Sequence, residues 1–173
     1  MDIENKIRTV PDFPKKGIMF RDITTLLKDK QAFAQVVDMF YEHYKDKRID
    51  KVVSVESRGF IFGSVLAYRL GAGFVPIRKP GKLPADVIWQ EYQLEYGTDS
   101  MEIHKDAIVK GDRILVHDDL LAIGGTIAAA CKLIDRLQGS VEGICFLIEL
   151  TPLEGRKAIP DKDVFSLIKY DVD

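Results

Sequence analysis

Apolar positions along the chain recur in two rhythms. Phe33, Val36, Val37, Phe40, Tyr41 and Tyr44 fall at spacings of three and four, which predicts an amphipathic helix from Gln31 to Lys45. Short continuous apolar runs follow. Val52-Val53-Ser54-Val55 reads as a buried strand, Gly59 to Leu70 as a helix stopped by Gly71, and Phe74-Val75-Pro76-Ile77 as a second strand. Farther on, Arg113 to Val116 is predicted as a strand, Gly125 to Leu137 as an alanine-rich helix, Ile144 to Leu150 as a strand and Val164 to Ile168 as an edge strand. The stretch Tyr92 to Ile103 differs. Tyr92, Leu94 and Tyr96 alternate with polar residues, Gly97-Thr98 can turn the chain, and Met101 and Ile103 alternate again, which predicts a two-stranded hairpin projecting from the main sheet. Strands separated by helices of this length imply an α/β fold, a mostly parallel twisted sheet with helices on both faces. Ligands of such sheets gather beyond the carboxyl ends of the strands, which directs attention to the loops after Val55, Ile77 and Val116.

Composition narrows the class. The 173 residues hold no linker, repeat or low-complexity tract and read as one domain, 1–173, with enough material for a sizeable core. A hydrophobic fraction of 46% and a charged fraction of 30% are those of a soluble globular protein. A formal net charge of -2 gives no electrostatic basis for a nucleic-acid or anionic-membrane partner, so any anion must be held by local clusters. The amino terminus is too charged for a secretory signal and no apolar run approaches the ~20 residues of a membrane span, so a cytoplasmic location is expected. Cys131 and Cys145 lie among apolar neighbours and are expected as reduced core thiols. His43, His104 and His117 have no zinc-like spacing to one another or to the cysteines, so no metal site is expected from them.

The third loop carries most information. In Val116-His117-Asp118-Asp119-Leu120-Leu121-Ala122-Ile123-Gly124-Gly125-Thr126, a strand runs into two carboxylates, then two glycines and a threonine, then a helix. Glycines let successive N–H groups converge on one anion, and the helix start adds unpaired donors and a positive dipole end. Carboxylates repel phosphate but accept from a vicinal diol, so a ribose 5′-phosphate satisfies both halves of the string. The alternative is a tight strand-to-helix turn with acids near a helix start.

Two further loops are cationic. Glu56-Ser57-Arg58-Gly59 follows the first strand, and Arg78-Lys79-Pro80-Gly81-Lys82 follows the second, with three cations in five residues. They suit a polyanion. Taken alone, the second is equally a solvated surface loop, and Arg58 a salt-bridge partner of Glu56. Near the amino terminus, Val10 to Thr24 contains Pro11, Pro14 and Gly17 and is expected as an ordered, non-helical segment, its Phe13 and Phe20 serving either core or ligand. Glu95 read by itself is an exposed hairpin carboxylate.

The string Asp118 to Thr126 resembles the phosphoribosyl pyrophosphate signature of type I phosphoribosyltransferases, in the form carried by adenine phosphoribosyltransferases. The resemblance extends through five strings in family order, from about Ile3 to Leu150. It implies the type I phosphoribosyltransferase fold, with an N-terminal hood over residues 1–30 and a flexible catalytic hairpin over 85–105. It implies that Asp118 and Asp119 hold the ribose hydroxyls and that Ala122, Ile123, Gly124, Gly125 and Thr126 hold the 5′-phosphate. The turn of Ser57, Arg58 and Gly59, with Lys79 and Lys82, would grip pyrophosphate, Arg58 also lying near the base. Phe20 would stack on adenine, main chain from Met19 to Arg21 would read its edge, and Leu120 or Leu121 would close the opposite face. Glu95 would be the general acid and Tyr96 would help exclude water. Magnesium would be held by substrate oxygens and water, without dedicated protein ligands. Adenine, phosphoribosyl pyrophosphate, AMP and pyrophosphate would be the partners, and the enzyme a homodimer.

Two positions depart from the pattern: Ile123 stands where the family has threonine, and His117 where it has an aliphatic residue. The first removes a phosphate donor worth about 1.5–3 kcal/mol, so weakened substrate binding is expected. Three other readings compete. A 6-oxopurine phosphoribosyltransferase would carry aspartate near Ala122. A non-catalytic regulator on the same fold would show no turnover, and an unrelated doubly wound domain would take another phosphorylated ligand.

Overall fold

The computed structural model describes residues 2–94 and 97–171. The chain opens with a two-stranded antiparallel ribbon, β1 (Arg8–Pro11) and β2 (Met19–Asp22), in which Arg8 faces Asp22 and Pro11 faces Met19. The expected non-helical segment thus contains regular pairing, and its turn is closed by the Asp12 carboxylate accepting from Gly17 N at 2.7 Å. A single turn, α1 (Thr24–Leu27), leads to α2 (Lys30–Tyr44). The latter starts where Asp29 accepts from the main-chain N–H groups of Gln31 and Ala32, a side-chain cap for otherwise orphaned donors.

The central sheet alternates with helices: β3 (Lys51–Val55), α3 (Gly59–Leu70), β4 (Gly73–Ile77), then the hairpin β5 (Val87–Gln93) and β6 (Thr98–His104), then β7 (Arg113–Leu121), α4 (Gly125–Arg136), β8 (Ser140–Leu150) and β9 (Val164–Tyr170). Five of these strands form one parallel sheet in the order β4-β3-β7-β8-β9. The order reverses between β3 and β7, which opens a crevice at the carboxyl ends of those two strands.

Side chains alternate across the sheet and build two cores. Val52, Leu115, Cys145 and Leu147 face α2 and α3, where Phe40, Tyr44 and Phe62 are fully buried. Val53, Val116, Ile144 and Phe146 face α4. Burial of each such side chain contributes about 1.5–3 kcal/mol. Cys131 and Cys145 are free and buried. Among the described residues no helix is long and apolar enough to cross a membrane.

Three expectations change. The hairpin does not simply project: its inward residues Tyr92, Met101 and Ile103 are buried in the second core, over α4. Its strands begin at Val87 and end at His104, longer than alternation predicted, because β5 opens on the contiguous run Val87-Ile88-Trp89. Strand β7 also continues to Leu121 rather than stopping at Val116, since Asp118, Leu120 and Leu121 still pair with Phe146, Ile148 and Glu149 of β8. Polar side chains hide a strand from hydropathy when main-chain pairing supplies its stability.

Candidate active site

Because β7 overshoots its apolar run, both carboxylates are mounted on a strand rather than a loop. Asp119 is buried, and its Oδ2 accepts from Arg58 Nε at 2.5 Å. Asp119 N donates to Asp118 Oδ1 at 2.9 Å. Desolvation, then the adjacent Asp119 charge, pushes the Asp118 carboxyl well above the ordinary carboxylate range, with Arg58 opposing. The alternative pairing of Arg58 with Glu56 is not formed. Arg58 precedes α3 and reaches β7, whereas Glu56 turns toward the loop after β4.

The glycine pair is sterically required. Gly124 has φ +84°, and a Cβ there would lie 2.3 Å from the Gly155 carbonyl oxygen. A Cβ on Gly125 would lie 2.7 Å from the Gln93 carbonyl oxygen. The loop is therefore clamped between a 3-10 turn (Gly155–Ala158) and the end of β5. Behind it α4 begins without a side-chain cap, so its first N–H groups remain available to a ligand. Ile123 is 43% exposed and presents a hydrocarbon surface at the position where the resemblance implied a hydroxyl.

Ser57, Arg58, Lys79, Asp118, Asp119, Leu120, Ala122, Ile123, Gly124, Gly125 and Thr126 all line one cavity of about 430 Å³, joined there by Tyr92, Gln93 and Leu94. Lys82 does not line it. Its Nζ sits on Glu56 Oε2 at 2.8 Å, while Glu56 Oε1 accepts from Lys79 N at 2.7 Å and Arg78 Nε at 3.3 Å. Burial raises the Glu56 pKa, but the hydrogen bonds from Lys82 and the Lys79 main chain, with the Lys82 and Arg78 charges, outweigh it and leave the carboxyl below its ordinary value.

Beside this cavity, the ribbon covers a second one of about 480 Å³ lined by Val10, Phe13, Phe20, Asp22, Ile23, Thr24 and Arg58. Phe13 meets Phe20 edge-on at 5.1 Å, and the Arg58 guanidinium lies 5.4 Å from the Phe20 ring centre, at the junction of the two cavities. The Arg21 side chain is directed elsewhere, donating to Thr9 Oγ1 at 2.6 Å and lying over the Tyr170 ring at 4.0 Å. Only its main chain on β2 remains for the role the resemblance implied. Glu95 and Tyr96 lie outside the described residues.

Comparison with known proteins accords with this geometry. Residues 22–173 match the phosphoribosyl transferase domain. The chain is 58% identical over 168 residues to the adenine phosphoribosyltransferase of Acidobacterium capsulatum, covering 97% of this chain and 93% of that one. The chain belongs to the adenine phosphoribosyltransferase family. The crystal structure of the Thermoanaerobacter pseudethanolicus adenine phosphoribosyltransferase superposes with a TM-score of 0.95 at 55% identity, covering 98% of both chains. That of the Saccharomyces cerevisiae adenine phosphoribosyltransferase, complexed with an imino-altritol bisphosphate and adenine, gives 0.90 at 38% identity over 95% of this chain and 96% of that one.

As a member of the adenine phosphoribosyltransferases, the chain carries features that the family strings did not reveal. Glu56 organises the whole cationic loop, although its only sequence signal was one acid beside cations. Gly155 backs Gly124 from about 30 residues away, and nothing local marks it. Asp99 and Tyr92 both contact the Lys79 ammonium, a meeting of the hairpin and the β4 loop that required three-dimensional pairing to appear.

Proposed function

We propose that the protein joins adenine to phosphoribosyl pyrophosphate, forming AMP and releasing pyrophosphate, a purine-salvage reaction carried out by a cytoplasmic homodimer. The observation that carries this reading is the pair of adjoining cavities bridged by Arg58. One combines a glycine cradle, an acid pair and cations, and the other is lined by aromatic rings. A phosphorylated sugar with a second anionic group fits the first and a planar base the second. The yeast relative, crystallised with adenine and a sugar-like bisphosphate, supports that assignment.

In this reaction the N9–C1′ bond forms as the bond from C1′ to the pyrophosphate oxygen breaks, through a transition state with oxocarbenium character. Gly124, Gly125 and Thr126 hold the 5′-phosphate with the start of α4. Asp118 and Asp119 accept from the ribose hydroxyls, and the negative charge of the acid pair favours the developing cation. Arg58, Lys79 and Ser57 receive the departing pyrophosphate. Lys82 serves through Glu56, by fixing the loop. Phe20 stacks on the base, main chain of β2 reads its edge, and Leu120 borders the opposite side. Glu95 exchanges a proton with a purine nitrogen, taking up the proton that adenine gives up as the N9–C1′ bond forms and returning it as the general acid in the reverse direction.

Among the described residues no group of three or more His, Cys, Asp or Glu is arranged to hold a metal ion. Of the carboxylates lining the cavity at the glycine cradle, Glu56 is occupied by Lys82, Arg78 and the Lys79 main chain, and Asp119 by Arg58. That donor set fits a magnesium ion held by substrate oxygens and water, with Asp118 and Asp119 beside it, where the ion would neutralise leaving-group charge.

The test is a competition. Purified protein with magnesium, phosphoribosyl pyrophosphate and equimolar adenine, hypoxanthine and guanine is expected to yield AMP as the dominant nucleotide. IMP or GMP as the main product would assign the base pocket to a 6-oxopurine. No nucleotide from folded protein would favour the sensing role.

A further inference from the structure

Lys79 is held at both ends before any substrate arrives. Its main-chain N–H donates to Glu56 Oε1 at 2.7 Å. Its ammonium, six bonds away, donates to Tyr92 Oη at 2.9 Å and to the Asp99 carboxylate, and lies 5.5 Å from the Tyr92 ring centre. Tyr92 and Asp99 are direct partners in the β5–β6 register, so their side chains share one face. Tyr92 Oη lies 3.3 Å from Asp99 Oδ2, closing a three-membered polar network. Tyr92 is buried among the second-core residues, which gives the network a rigid base.

The loop is also stitched to the hairpin through its backbone. Arg78 N donates to Glu102 O at 3.0 Å, Glu102 N donates to Arg78 O at 2.7 Å, and Gly81 N donates to Glu102 Oε2 at 3.1 Å. A lysine on a flexible stem ordinarily loses rotamer freedom when it binds an anion; here that loss is incurred on folding. An ammonium has three donors, and two are engaged by the hairpin, leaving one for a phosphate oxygen in the cavity that Lys79 lines.

We propose that the cross-strand pair Tyr92 and Asp99 is a positioning device that holds the Lys79 ammonium at the leaving-group side of the cavity. It rests on the reaction proposed above. Asp99 touches no substrate and acts only through Lys79.

A double-mutant cycle tests this on AMP formation by the full chain. Asp99→Asn is expected to raise the KM for phosphoribosyl pyrophosphate about tenfold while the KM for adenine stays within about twofold, the loss being that of one charge-assisted hydrogen bond. Lys79→Met is expected to cost about tenfold or more, and adding Asp99→Asn to it nothing further. Tyr92→Phe, which keeps the ring, is expected to give a smaller rise. Multiplying effects in the double variant, or Asp99→Asn within about twofold of the wild type, would overturn the proposal. Asp99→Ser provides a second variant should the first fold poorly. If the wild type forms no AMP, the reaction itself is refuted. The same cycle read by calorimetric titration with magnesium pyrophosphate then decides the clamp separately.

Discussion

Replacing Glu56 by alanine removes three contacts from the cationic loop at once. The strongest is the Lys79 main-chain N–H to a carboxylate whose side chain is 11% exposed, at 2.7 Å. A hydrogen bond to a charged group of that kind contributes about 1.5–3 kcal/mol. The pairs with Lys82 and Arg78 involve cations 47% and 35% exposed, so solvent screening reduces each to about 0–1 kcal/mol. Together the loop loses about 2–4 kcal/mol of ordering. Substrate binding must then supply it, which raises the KM for phosphoribosyl pyrophosphate about 30-fold or more, at about 1.4 kcal/mol per tenfold. The KM for adenine should stay near its original value, because Glu56 does not line the ribbon's cavity. Glu56→Gln keeps an acceptor for Lys79 N but lacks the charge, and should fall between. The contribution also has a pH signature. The folded carboxyl sits below its ordinary value of 4.5, so its stabilisation is complete above that pH and fades as pH falls through the folded value. Steady-state kinetics at varied phosphoribosyl pyrophosphate, with thermal melting from pH 7 downward, measure both effects. An alanine variant with both KM values within about twofold of the wild type would refute the reasoning, since no other described contact could then be credited to this carboxylate.

Three further outcomes are expected. Ile123→Thr restores a donor at a 43%-exposed position and should lower the KM for phosphoribosyl pyrophosphate about tenfold without changing melting temperature; an unchanged KM removes Ile123 from the account. Glu95→Gln should lower turnover with little effect on phosphoribosyl pyrophosphate binding, and a large binding loss at normal turnover would reject the proton-transfer role. His117 is buried with Nδ1 3.1 Å from Cys145 O, and burial pushes its pKa down to about 4 from 6.5. The unfolded chain therefore binds the extra proton between those values, and stability present above pH 6.5 is lost progressively toward pH 4, by about 3 kcal/mol in all. His117→Val should flatten that slope in denaturant unfolding at stepped pH; parallel profiles for the two proteins would show that the histidine does not titrate in this way.

Periodicity in the sequence determined the parallel α/β class, because buried strands and amphipathic helices must each place apolar groups on a fixed face. The helix at Gly59–Leu70 appears with the predicted bounds and the other two predicted helices shift by one residue, because caps such as Asp29 act through side chains rather than through hydropathy, while the single turn Thr24–Leu27 had no periodic signal. The Asp118 to Thr126 string was equally legible, since glycines, acids and a helix start are local requirements of one loop. The continuation of β7 through His117, Asp118 and Asp119 was not, because main-chain pairing with β8 holds those residues in the strand whatever their polarity. Nor was the partner of Arg58. Proximity along the chain favoured Glu56, and only the strand order, which sets β7 beside β3, brought Asp119 within reach. Glu56, Tyr92 and Asp99 likewise acquire their roles from elements far apart in sequence. A charge's partner depends on distance in space, and only the fold sets that distance.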